Sequence, residues 1–521
     1  METSVRNEMA QEHPDYRKLH NNTNKDWWKD PGLRINVYHC AGLCGAIFFN
    51  GFDGSLFNGL QTIPAWLEFF DYPSSNKLGL MNSAALFPGL VAPYFSERIA
   101  TKWGRRYAIW LGIVINVIGA IVNSASTGLG MYIAGRVIMG IGIATTLTIA
   151  STLLQEIAHP RYRAPLGTIY TSIYYVAAVI SAGICLGTRN IAGNASWRIP
   201  CYLQLIGPIA TFIMTWTMPE SPRWLIKNER YEEAIQILAK YHANGDINDP
   251  LVQLEHREIM QGIEAEQINS QVAYTDFLKP KNHHRLFLLV IIAIGTNWVG
   301  NGIVSYYLSP ILNQVGVTAK SQQATLNLGL QVWNLILSTT AGLNCDRIGR
   351  RPMWLISNIG MLCAFAIVMG LSGSYATTNS KSTGLAVIPF LFIYFGFYVF
   401  SWTPLANMYS VEILPFNLRA KGQAIFVTVQ NAANAVNQWV NPIILEAIHW
   451  KYYGVYIGIL MAYIVMIWFT FPETKGLTIE EVATVFDGED ALGMDKGTGK
   501  GVAKTATASE NLSDSEHVEQ V

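Results

Sequence analysis

Two charged side chains stand where charge is costly. Asp53 lies between Phe52 and Gly54 inside an apolar stretch, and Arg136 lies inside another, far from either end. A carboxylate in such a place costs several kcal/mol unless it is paired or meets water, so it is a functional candidate by default. The two can pair with each other. In a low dielectric a carboxylate's pKa is tunable, so such a pair can take up and release a proton.

A second set of residues suits a hydroxyl-rich small molecule. Gln430, Asn434, Asn437 and Asn441 recur at spacings of four, three and four, which puts them along one face of a helix, with Asn431 and Gln438 beside them. Lipid does not tolerate such a face, so it is expected to meet a water-filled cavity. The alternative is that these amides join neighbouring helices by hydrogen bonds. Further cavity candidates on other stretches are Asn50, Asn58, Gln61, Thr171, Asn297, Asn301, Asn334 and Asn407. Amides bind paired hydroxyls, and aromatic faces cover C–H surfaces. Tyr306, Tyr307 and Trp402 could supply that face or serve as packing.

A third set is duplicated. Gly104-Arg105-Arg106, Glu156 with Arg163, and Pro219-Glu220-Ser221 recur about 250 residues later as Gly349-Arg350-Arg351, Glu412 with Arg419, and Pro472-Glu473-Thr474. With Arg223 and Asp346, these residues are candidates for an inner gate of ion pairs, and such a bistable contact suits alternating access. The competing reading is that they only anchor the ends of spans.

The elements that must position these residues are membrane spans. The chain is 50% hydrophobic and 14% charged, against roughly 25% charged in soluble domains, and its mean hydropathy is +0.23. Net charge is zero, so nothing points to nucleic acid. About twelve stretches are long enough to cross a bilayer: 36–60, 78–99, 107–126, 131–153, 166–186 and 199–218, then 286–312, 323–343, 353–371, 385–408, 423–445 and 453–471. The expected fold is an all-α membrane protein with two six-helix bundles. The expected divisions are a cytosolic tail 1–34, a first bundle 35–219, linker helices 220–285, a second bundle 286–472 and a tail 473–521, disordered after 487. The N-terminal part shows no signal-peptide pattern. Lys/Arg bias in the short loops puts both termini inside. In the linker, Ala234, Ile235 and Leu238 mark one face of an amphipathic helix. Asn194-Ala195-Ser196 is a candidate glycosylation sequon in an outer loop. The six cysteines match no metal spacing, and a Cys185–Cys201 bridge is conceivable. No catalytic triad or phosphate-binding loop is legible, and no enzyme activity or cofactor is expected.

Together these motifs resemble the sugar porter family of the major facilitator superfamily. The resemblance rests on Pro219-Glu-Ser-Pro-Arg-Trp-Leu225, Pro472-Glu-Thr-Lys-Gly-Leu-Thr478, Gly135-Arg136-Val-Ile-Met-Gly140, Asp346-Arg-Ile-Gly-Arg-Arg351 and Gly51-Phe52-Asp53. It implies the major facilitator fold, a plasma-membrane location, an Asp53–Arg136 pair that couples to protons, and sugar contacts at Thr296, Asn297, Asn334, Asn407, Gln430 and Asn431. Thr101 departs from the aspartate usual in the first-half motif, which puts that latch in doubt or passes its role to Glu97. Gly300-Asn301-Gly302-Ile303-Val304-Ser305-Tyr306-Tyr307 and Lys240-Tyr-His-Ala-Asn-Gly-Asp246 are more narrowly similar to fungal lactose and cellodextrin permeases. Asn407 and Asn431 stand where hexose transporters carry bulky aromatics, which implies a larger pocket. The expectation is therefore a monomeric, proton-coupled importer of a disaccharide such as lactose or cellobiose, embedded in lipid. The rivals are a hexose or pentose transporter and a non-transporting sugar sensor.

Overall fold

The computed structural model describes residues 21–24, 26–269, 273–475 and 486, and the described residues form helices and loops without strands. The first bundle begins with α1 (Pro31–Leu60) and the short α2 (Pro64–Phe69). The second span is not one helix. It is split into α3 (Ser75–Ser83), a 3₁₀ turn at Phe87–Leu90 and α4 (Ala92–Trp103). Pro88 and Pro93 account for the split, because each lacks an N–H and its ring clashes with the carbonyl four residues back. Then come α5 (Arg105–Ser124), α6 (Leu129–Ile157) and α7 (Pro160–Thr188). The sixth span is α8 (Ala195–Leu203) plus α9 (Ile206–Trp216), which Pro208 divides in the same way.

In the second bundle the seventh span is likewise divided, into α13 (His283–Trp298) and α14 (Asn301–Gln314). Gly300 between them has φ +108°, a left-handed conformation, and a Cβ there would meet the Phe365 ring at 2.4 Å. The bundle is completed by α15 (Lys320–Ile348), α16 (Arg350–Thr378), α17 (Lys381–Glu412), α18 (Phe416–Ile448) and α19 (Tyr452–Thr470). Nine stretches among the described residues are long and apolar enough to cross a membrane, and the last of them, Lys421–Thr470, runs through two helices. The two remaining spans are the broken second one and α15, whose buried Asn327, Gln331 and Asn334 lower its hydropathy.

Between the bundles lie α10 (Pro222–Lys227), α11 (Tyr231–His242) and α12 (Pro250–Asn269). They fasten to the first bundle. Trp224 donates its indole N–H to the Thr101 carbonyl at 2.8 Å. His242 Nε2 lies 3.1 Å from the Ile157 carbonyl, and its Nδ1 lies 2.5 Å from Glu255, which also faces Arg163 at 3.5 Å. Ala234 and Leu238 are buried in the linker's own small clusters, with Ile235 packed alongside.

The two bundles meet at the end of the molecule away from this linker. There Asn58 donates to Asn327 (2.9 Å), Gln61 to the Tyr306 carbonyl (2.8 Å), Asn82 to Gln438 (2.7 Å) and Trp439 to Asn76 (2.8 Å). Tyr306 and Tyr307 of the second bundle join the apolar cluster at this far end of the first. The cluster at the linker end of the first bundle is made of first-bundle residues alone. The far end is thus closed by contacts between halves.

Candidate functional site

A cavity of 240 Å³ lies between the bundles at mid-depth. The first bundle gives it Gly54 and Ser55 from α1 and Tyr174, Tyr175 and Ala178 from α7. The second gives most of the polar wall: Thr296 and Asn297 from α13, Asn301 from α14, Gln331 and Asn334 from α15, and Asn407 and Gln430 from α17 and α18. Tyr306, Tyr398 and Trp402 add aromatic faces.

The broken seventh span builds one side of this wall. Where α13 ends, its last carbonyls have no amide partners along the chain. The Tyr398 hydroxyl donates to the Thr296 carbonyl at 2.8 Å, and the Tyr394 hydroxyl donates to the Val299 carbonyl at 2.8 Å. The Thr296 hydroxyl accepts from Asn297 (3.0 Å) and from Gln430 (3.2 Å), which fixes both amides. Three buried polar atoms on lining residues have no hydrogen-bond partner: Asn301 Oδ1, Asn334 Oδ1 and Trp402 Nε1. Such orphans cost about 1–3 kcal/mol each, and all three belong to residues of the cavity wall, where the amides of Asn297, Asn407 and Gln430 also stand.

Beside the cavity, one residue from Gly54, Asp53 Oδ1 lies 2.5 Å from Arg136 Nη1. The pair is almost dry, with Asp53 8% and Arg136 5% exposed. The rest of the guanidinium is also used. Nε donates to the Met81 carbonyl at 3.3 Å and Nη2 to the Asn82 carbonyl at 3.4 Å, and the Phe57 ring lies 5.6 Å away.

Six of the ten expected sugar contacts line the cavity: Thr296, Asn297, Asn301, Asn334, Asn407 and Gln430. Asn50, Thr171, Asn431 and Asn434 are not among the lining residues. Asn431 instead donates to the Gly89 carbonyl at 2.9 Å, and Asn434 accepts from Gln438 at 3.2 Å. The amide face of α18 thus divides its work. Farther along it, Asn441 donates to Asn437 and accepts from the Tyr452 and Tyr456 hydroxyls, holding α18 to α19. Reasoning from sequence missed Tyr174, Tyr175, Tyr398 and Gln331. The signal for Gln331 was present: Asn327, Gln331 and Asn334 repeat at four and three, as on α18.

Among the described contacts, the duplicated charges pair within their own half. Arg105 faces Glu156 at 3.5 Å, and Arg350 faces Glu412 at 2.9 Å. Glu220 accepts the backbone N–H of Arg105 (2.8 Å) and Arg106 (3.2 Å), and Glu473 accepts those of Arg350 (2.9 Å) and Arg351 (3.0 Å). Each Pro-Glu motif therefore caps the third span of its own bundle, α5 or α16, where free N–H groups and the helix dipole favour an anion. Gly104 and Gly349, the N-cap residues, have φ of 104° and 102°, and a Cβ on Gly104 would meet Glu220 at 2.3 Å. Burial pushes the Glu220 carboxyl above its usual range despite its N–H bonds. Burial also raises Glu473, but four backbone N–H bonds outweigh it and hold that carboxyl low.

Arg106 and Arg351 donate to the Met218 and Trp468 carbonyls, and Arg163 and Arg419 to the Ala158 and Leu414 carbonyls. In these contacts each of the four arginines finds an acceptor nearby in its own bundle. Arg223 lies in α10, and the Asp346 side chain falls outside the described residues. Asn194 is exposed and accepts the Trp197 indole N–H at 3.2 Å. Cys185 and Cys201 are free, buried thiols packed in the far-end cluster, so the conceivable bridge is not formed.

Two matched helical bundles, a polar and aromatic cavity at their interface and a buried ion pair beside it define a membrane transporter. The chain belongs to the sugar transporter family of the major facilitator superfamily: the family described as "Sugar (and other) transporter" matches residues 37–486. A glucose transporter of Aspergillus flavus is 28% identical over 482 residues, covering 87% of this chain and 90% of that protein. A high-affinity glucose transporter of Kluyveromyces lactis is 27% identical, covering 86% and 84%. Among solved structures, the inward-open form of the xylose transporter XylE of E. coli has a TM-score of 0.71 at 21% identity, covering 87% of this chain and 99% of that one.

Proposed function

We propose that the protein imports a monosaccharide, a hexose or pentose, together with a proton, by exposing the central cavity alternately to the two sides of the plasma membrane. The observation that carries this reading is the wall of amides and aromatic rings around the cavity, one short step from the Asp53–Arg136 pair. Sugar hydroxyls would bond to the first, and protonation of Asp53 would break the charge balance of the second. The chain is read as a monomer with both termini cytosolic.

The disaccharide reading rested on two missing aromatics and on the likeness of 300–307 and 240–246 to lactose and cellodextrin permeases. Asn407 does line the cavity, but Asn431 does not, and Tyr174, Tyr175, Tyr398 and Trp402 crowd the same space. That inventory and the relatives named as glucose transporters favour a single ring. The test is uptake of labelled sugars in cells without their own transporters, with and without a protonophore. Glucose or xylose should compete better than lactose or cellobiose, and accumulation should collapse with the proton gradient. Asp53→Asn should transport without pH-driven accumulation. Accumulation that survives both the protonophore and Asp53→Asn would overturn the coupling. Selective competition by cellobiose or lactose would restore the larger substrate.

A further inference from the structure

The Asp53–Arg136 pair is joined to the far-end closure by a short chain of hydrogen bonds. The split in the second span makes this possible. Met81 and Asn82 lie in the last turn of α3, where carbonyls lose their amide partners. The bonds around the break skip these two: Ala84 N–H reaches the Leu80 carbonyl, and Leu86 N–H reaches Ser83. The Arg136 guanidinium takes the Met81 and Asn82 carbonyls instead, at the negative end of the helix dipole. On the other side of the same residue, the Asn82 side-chain amide donates to Gln438 Oε1 at 2.7 Å and to the Tyr307 hydroxyl at 3.3 Å, both in the second bundle. Asn82, Gln438 and Tyr307 are 3%, 1% and 0% exposed, so water cannot stand in for these bonds.

We propose that Asn82 is the positioning residue that carries the charge state of Asp53, through Arg136, to the closure between the two bundles. The proposal rests on the proton-coupling reading above and adds the route. When Asp53 is ionised, Arg136 is neutralised in place and its other N–H groups hold the end of α3. When Asp53 takes up a proton, a desolvated guanidinium loses its counter-charge, which is costly, and it must re-seat. The carbonyls it holds belong to Met81 and Asn82, so the last turn of α3 shifts with it and the amide bridge to Gln438 changes. The other titratable groups facing the pair are Tyr132 on α6, Cys201 on α8, and Tyr306 and Tyr307 on α14. Phenols and thiols ordinarily titrate above neutral pH, so these four stay uncharged beside the ion pair.

The experiment uses the full chain in lipid nanodiscs with spin labels at Ile191→Cys and Thr378→Cys, two exposed residues at the far ends of the two bundles, in a Cys363→Ser background. The distance distribution between labels is recorded from pH 5 to pH 8. The wild-type distribution should shift with pH, and Asp53→Asn should abolish the shift. Asn82→Ala should abolish it as well, and Asp53→Asn added to Asn82→Ala should change nothing more. Gln438→Met, which removes the same bond from the other side, should behave as Asn82→Ala does and serves if that variant fails to fold. A full pH shift in Asn82→Ala or Gln438→Met overturns the relay. So does a wild-type distribution that stays fixed while accumulation remains pH-driven, and that outcome leaves the coupling reading standing. Loss of pH-driven accumulation in Asn82→Ala, with exchange of labelled glucose down its gradient retained, is the matching transport result.

Discussion

The Tyr307 hydroxyl donates to the backbone carbonyl of Gln438 at 2.5 Å, joining α14 to α18, and accepts at 3.3 Å from Asn82 across the boundary between the bundles. That carbonyl is available because Pro442, four residues on, has no N–H to give it. The Tyr306 carbonyl is available for the same reason, through Pro310, and accepts Gln61. Pro310 thus makes an acceptor that closes the far end, and Pro442 makes one that holds the tyrosine facing Asn82.

Tyr307→Phe should loosen this closure. It leaves a buried carbonyl unpaired, at a cost of about 1–3 kcal/mol. The protein should melt at a lower temperature in detergent, and labels at the far end should sample longer distances. An unchanged melting temperature and unchanged distances would show that the bond contributes nothing.

Thr296→Val should weaken sugar binding more than it weakens the fold. The lost hydroxyl orients both Asn297 and Gln430. The loss of one or two oriented bonds at about 1 kcal/mol each gives a rise in KM of roughly 5- to 30-fold. The measurement is the concentration dependence of glucose uptake, with maximal rate and expression tracked alongside.

Glu220→Ala and Glu473→Ala should each destabilise the protein by about 0.5–2 kcal/mol through loss of a helix cap. The effects should add, since the two caps sit in different bundles. Gly104→Ala should be at least as damaging, because a Cβ there strains the backbone and displaces Glu220. Thermal melts of the three single variants and the double variant test this.

The linker's attachment should depend on pH in both directions. Burial pushes His242 down, but the Glu255 carboxylate against its ring more than compensates and holds it above its ordinary 6.5. Its contribution is complete below pH 6.5 and fades as pH rises through the raised value. Burial, with His242, Arg161 and Arg163 nearby and only Asp30 opposing, pushes His159 down to about 3. The docked state therefore loses stability as pH falls from 6.5 towards 3. Protection of α11 and α12 from hydrogen exchange, corrected for intrinsic rates, should peak near pH 6.5. His242→Gln should remove the alkaline decline and His159→Gln the acid one.

Much of this was legible in the chain. Residue types and periodicity marked the spans, and the duplicated Pro-Glu and Gly-Arg-Arg motifs marked the halves. Asp53 and Arg136 stood out because charge in an apolar stretch demands a partner. What the residues did not disclose was direction. The regular amides of α18 look alike in sequence, yet Gln430 faces the cavity, Asn431 bonds the broken second span, and Asn441 meets tyrosines of α19. Tyr174 and Tyr175 were hidden for a related reason, since aromatic residues are common in spans. Pro88, Pro93 and Gly300 were visible, but apolar runs on either side of each read as continuous.

The helices α10 to α12 are pinned to Thr101, Ile157 and Arg163, all in the first bundle. Whatever grips them, a regulator or a fused reporter, rides on one jaw of the molecule. Its displacement would register how that jaw turns during a transport cycle.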